Sequence, residues 1–96
     1  MIASMITILK GSYRAQVNDN EPVSLTRKDF GLLTALANGE AASIDHLRTA
    51  TGINSPKSVV PHISRLSRKL GKGQIIALHG FASYRLAEPA TISEEV

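Results

Sequence analysis

Ser58, His62, Arg65 and Lys69 stand at i, i+4, i+7 and i+11, the spacing at which side chains share one face of an α-helix. They line up a hydroxyl, an imidazole, a guanidinium and an ammonium. About 90° around the same helix, Val59, Ile63, Leu66 and Leu70 repeat at the same spacing and make an apolar stripe. A segment of this kind packs by one stripe and presents the other. Hydrogen-bond donors and positive charge on a cylinder of helical width suit the major groove of B-DNA, whose base edges are rich in acceptors.

The charge distribution supports a polyanionic partner. The net charge is only +3, but from His46 to Ala87 there is no acidic residue, while Arg48, Lys57, Arg65, Arg68, Lys69, Lys72 and Arg85 all fall there. Other chemistry finds little support. His46, His62 and His79 are far apart, there is no cysteine and no zinc-ligand spacing, so no metal is expected. No Gly-x-Ser-x-Gly elbow occurs, and Gly71-Lys72-Gly73 lacks the spacing of a phosphate-binding loop. The expectation is a binding protein without a cofactor, not an enzyme.

Local signals place the elements that must position the stripe. Met5–Leu9 and Tyr13–Val17 are short β-branched or aromatic runs around Lys10-Gly11-Ser12, a hairpin whose turn would use the positive φ open to Gly11. After the turn cluster Asn18–Pro22, Val23-Ser24-Leu25 reads as a third short strand. Thr26 and Asp29 form a capping box, Leu25 and Phe30 are spaced as a hydrophobic staple, and Phe30, Leu33, Leu36 and Ala37 define the buried face of a first helix that stops at Asn38-Gly39. A second helix runs from an N-cap at Ser43 through Ile44 and Leu47 to Gly52. The third, which carries both stripes, ends at Gly71. It is expected to be capped near Ser58 rather than to start at Pro56, because Pro61 then falls in the first turn, where a missing N–H breaks no bond. Gln74–Leu78 and Ser83–Ala87 read as a closing hairpin.

Ninety-six residues, 43% of them hydrophobic and 20% charged, suffice for one folded domain. Residues 1–87 are expected to form it, and residues 88–96, acidic and with a single proline, to be a disordered tail. The lack of cysteine fits a reducing compartment. The apolar opening is too short to span a bilayer and lacks a basic leader. A cytoplasmic protein without membrane association is therefore expected.

Taken in order, Val23-Ser24-Leu25-Thr26-Arg27-Lys28-Asp29-Phe30-Gly31-Leu32-Leu33, His62-Ile63-Ser64-Arg65-Leu66-Ser67-Arg68-Lys69-Leu70, and Gly80 with Tyr84-Arg85-Leu86 resemble the winged-helix effector domain of OmpR/PhoB-type response regulators, from about Met5 to Leu86. The resemblance implies an α+β winged helix-turn-helix: a small N-terminal antiparallel sheet, three helices and a C-terminal β-hairpin wing. It further implies sequence-specific binding to double-stranded DNA in transcription regulation, with the third helix in the major groove and the wing near the minor groove. Lys57, Ser58, His62, Arg65 and Arg68 would lie at or beside DNA-facing positions. Arg65 is the candidate for a base contact, since a guanidinium can engage guanine O6 and N7 together. Lys69, nearer the helix end, is the candidate for phosphate, and His79 and Arg85 belong to the wing. Members of the family often bind as head-to-tail pairs, so a homodimer on DNA is implied.

The departures are as informative. Val60 and Pro61 stand where the family commonly has aspartate and valine, Ser64 and Ser67 replace frequent arginines, and His79 replaces the arginine before the wing glycine. The family's target sequence does not carry over. The connection Ile53–Pro56 is shorter than the loop that touches RNA polymerase in some members, the wing tip has one extra residue, and the expectation is a regulator without a receiver domain ahead of the sheet. The missing arginines motivate the alternative expectation, a winged helix that binds another regulator in place of DNA.

Overall fold

In a computed structural model, residues 5–71, 73–78, 80 and 82–93 are described. The chain opens on strand β1 (Ile6–Leu9), a 3-10 turn (Lys10–Ser12) and strand β2 (Arg14–Val17). Ile6 faces Val17 and Ile8 faces Ala15 across the antiparallel ladder. All four are buried, so one face of the hairpin closes on the core, as the period-two alternation of a half-buried strand requires. The turn differs from expectation. Gly11 is not among the residues with positive φ; Tyr13 takes the left-handed conformation instead, at φ 51°. Its ring stacks on Phe30 with centroids 4.6 Å apart, a contact that offsets the backbone cost of a non-glycine residue there.

Strand β3 (Val23–Ser24) pairs antiparallel with β2. Helix α1 (Arg27–Leu36) starts at the expected capping box: the Thr26 hydroxyl accepts from the Asp29 N–H, and the Asp29 carboxylate accepts from the Thr26 N–H, both at 3.1 Å. Leu32 joins Leu33, Leu36 and Ala37 in the core, whereas Phe30 is half-buried. The apolar face is wider than one stripe because α1 packs on both other helices and the second sheet. Strand β4 (Ala42–Ser43) leads into helix α2 (Ile44–Thr51), capped by Ser43 and stopped by Gly52 at φ 75°. Beyond helix α3 (Pro56–Leu70), strands β5 (Ile75–Leu78) and β6 (Ser83–Leu86) form the expected hairpin.

Helix α3 begins earlier than its prolines suggest. Ser55 is the N-cap, accepting from the Lys57 N–H at 3.2 Å, and Pro56 occupies the first position, where its fixed φ is already helical. Pro61 therefore lies inside the helix. Its missing N–H costs the bond to the Lys57 carbonyl, but Lys57 and Pro61 are both exposed, so the forfeited partner lies on the solvated side.

Two further strands escaped the sequence reading. Strand β4 pairs with β6, completing a three-stranded sheet in the order β4-β6-β5. The tail expected to be disordered supplies β7 (Thr91–Ser93), which runs parallel to β1 and completes the sheet β3-β2-β1-β7. The Ala90 N–H donates to the Ala37 carbonyl at 2.8 Å, and Pro89 packs over Gly39. Acidity and a proline argued for fraying, but the open edge of β1 offers unpaired backbone groups that a short extended segment can satisfy. Residues 94–96 lie outside the described residues.

Candidate nucleic-acid interface

The orientation of α3 follows from its buried stripe. Val59 and Leu66 are fully buried and Ile63 and Leu70 nearly so. The opposite side carries Lys57, Ser58, Val60, Pro61, Ser64, Arg65 and Arg68, all exposed, with His62 half-buried at its margin. Between Ser55 at one end and Gly71, at φ 107°, at the other, this surface spans the whole helix.

Recesses flank it on either side. One, of about 450 Å³, lies between α3 and the start of α1. It gathers Arg27 and Lys28 with His62, Arg65 and Lys69. Arg65 Nη2 lies 3.3 Å from His62 Nδ1, a contact that sets the guanidinium against the imidazole when that nitrogen is unprotonated. Arg27 and Lys28 were not among the expected site residues. They occupy the first turn of a helix, where the backbone dipole disfavours cations, and that mismatch was the available signal. The other recess, of about 360 Å³, separates α3 from β5 and is lined by Val60, Ser64, Ser67, Arg68, Ile75 and Ala77 among others. Tyr84 also reaches it, and burial pushes its hydroxyl pKa up.

Lys69 does not join the outward row. Its Nζ is 2.6 Å from Asp29 Oδ2 and 3.2 Å from the Ser24 carbonyl. The Asp29 carboxylate is almost sealed from solvent, with 5% of its side chain exposed against 34% for Lys69. Burial pushes the Asp29 pKa up, but the hydrogen bonds from Lys69 and Thr26 and the nearby ammonium charge outweigh it and hold the group below its ordinary value. One carboxylate thus caps α1 and anchors α3, and through Lys69 it ties both to β3. The sequence showed the cap; it could not show the partner.

The remaining expected residues separate. Arg85 lies on β6 between the buried Tyr84 and Leu86, hence on the opposite face of that strand, where its Nη1 donates to the Leu86 carbonyl at 3.1 Å. It lines neither recess. His79 lies outside the described residues. Among the described residues no group of three or more His, Cys, Asp or Glu could hold a metal ion, and no helix is long and apolar enough to cross a membrane.

Among solved structures, the chain is similar to the DNA-binding domain of the response regulator AdeR, crystallised in complex with an intercistronic region. The TM-score is 0.72 at 20% sequence identity, over 86% of this chain and 94% of that one. This is a winged-helix fold. In its terms α2 and α3 are the helix-turn-helix, β5 and β6 the wing, and β1–β3 with β7 the N-terminal sheet. The α+β winged helix-turn-helix expected from the sequence is thus the observed architecture. No protein-family model matches the chain, and no curated protein does.

Proposed function

We propose that this winged helix binds double-stranded DNA sequence-specifically in transcription regulation, with α3 in the major groove and the wing near the minor groove. The observation that carries the reading is the outward surface of α3. It is exposed along its length, bears Lys57, Arg65 and Arg68, and is held by a buried stripe packed into the core. The similar AdeR domain was solved on DNA. Base reading is assigned to Arg65, assisted by His62 and Ser58, and phosphate contacts to Lys57 and Arg68 with Arg27 and Lys28 from α1. Lys69 acts through Asp29, fixing the helix that carries the others. A cytoplasmic, non-catalytic regulator that pairs on its operator completes the reading.

Fluorescence anisotropy with random duplex at several salt concentrations tests it. Neutralising four to six phosphates makes the logarithm of affinity fall with that of salt at a slope of about −4 to −5, and single strands of matched length should compete poorly. Affinity that is flat in salt, or equal competition by single strands, would refute groove binding.

A further inference from the structure

The outward surface of α3 carries an apolar pair between Lys57 and Arg65. Val60 is 37% exposed, a large hydrophobic side chain that the helix leaves uncovered, and Pro61 beside it is exposed as well. Lys57 stands one turn before them and Ser64 and Arg65 one turn after, all exposed. Neither Val60 nor Pro61 offers a hydrogen-bond donor: one side chain is a hydrocarbon and the other residue has no N–H. They lie in the second turn, in the N-terminal half of α3, the part of a recognition helix that reaches base edges.

We infer that Val60, with Pro61 beside it, reads thymine through its C5-methyl group, which makes Val60 a specificity-determining residue; this rests on the proposal that α3 enters the major groove. Of the groups that base pairs present in that groove, the thymine methyl is the apolar one, while the others are hydrogen-bond acceptors and amino donors. A guanine edge set against Val60 would lose water from O6 and N7 and gain no partner, a desolvation penalty that a methyl group does not incur. The occupant is DNA rather than an apolar protein segment because Lys57, Arg65 and Arg68 frame the patch and no acidic residue occurs between His46 and Ala87. The surface therefore reads a thymine at Val60, with hydrogen-bond donors that read base acceptors on either side of it.

The full chain is used to select a preferred duplex from a random-sequence pool, and each thymine of that duplex is then replaced singly by deoxyuridine, which lacks only the methyl. At one or two adjacent positions the replacement should weaken binding about 4-fold, the worth of one buried methyl-sized group. Val60→Ala should bind the thymine and uracil duplexes alike, and Val60→Ile should keep the penalty. Tolerance of uracil at every position, or an undiminished penalty in Val60→Ala, overturns the inference while leaving DNA binding in place. A chain that shows no salt-dependent duplex binding in the first step overturns the functional reading as well.

Discussion

Replacing Lys69 by alanine separates two roles that a lysine in this helix could have. A phosphate contact would change DNA binding and leave the fold alone; an anchor for Asp29 would do the reverse. Breaking a fully buried ion pair by removing one partner costs about 3–5 kcal/mol, whereas an exposed pair contributes about 0–1 kcal/mol. Here the carboxylate is sealed, the Lys69 side chain is about one-third exposed, and Asp29 keeps its bonds to Thr26, so Lys69→Ala should cost about 1–2 kcal/mol. For a domain of this size that lowers Tm by roughly 5–15 °C. The cost should depend on pH. The folded Asp29 has a pKa below the ordinary 3.8, so its stabilisation is fully present above that value and is lost as pH falls through the lower, folded one. Without Lys69 its hydrogen bond and charge no longer lower the pKa while burial still raises it, so protonation opposes folding less. Thermal unfolding followed by circular dichroism at pH 7, 5, 4 and 3 should show a constant gap between the two proteins at pH 7 and 5 and a narrower one at pH 3. The salt slope of DNA binding should be unchanged. A Tm within 2 °C of wild type at pH 7 would show that the Asp29 pair contributes nothing, and a slope reduced by about one would show that Lys69 serves phosphate.

Arg65→Ala should weaken the preferred duplex by about 1–3 kcal/mol and random duplex little; an equal loss on both, by anisotropy, would make Arg65 a phosphate contact. Arg27→Ala combined with Lys28→Ala should weaken all duplexes alike and reduce the salt slope by roughly two units, with Tm unchanged or slightly raised, since both cations sit at the positive end of α1; an unaltered slope would remove α1 from the interface. Gly39→Ala places a side chain at φ 79° and a Cβ 2.9 Å from Pro89 Cγ, so urea unfolding should show a loss of more than about 1 kcal/mol. A neutral result would mean that the 89–93 segment is not held against the α1 stop.

Much of this architecture is legible in the sequence because its determinants are local. Caps at Thr26 and Ser43, stops at Gly39, Gly52 and Gly71, and the stripe Val59-Ile63-Leu66-Leu70 each act within a turn or two of chain, so residue type and spacing suffice to read them. The same local logic misplaced the start of α3: it weighed Pro61 as a breaker, where a proline at the first position and solvent around the lost bond make an interior proline tolerable.

What the sequence determines by itself, then, is the set of helices, the hairpins, the basic half of the chain and the candidate face of α3, since periodicity and composition need no knowledge of neighbours. Tertiary structure decides which cations on or near that face are available. Lys69 and Arg65 look alike on a helical wheel, but Lys69 finds a carboxylate forty residues away and turns inward, while Arg27 and Lys28 arrive from α1 to flank Arg65. Strands β4 and β7 likewise exist because distant edges were open to them. Two or three residues carry no alternation to read, and their pairing energy resides in backbone groups that every residue but proline shares.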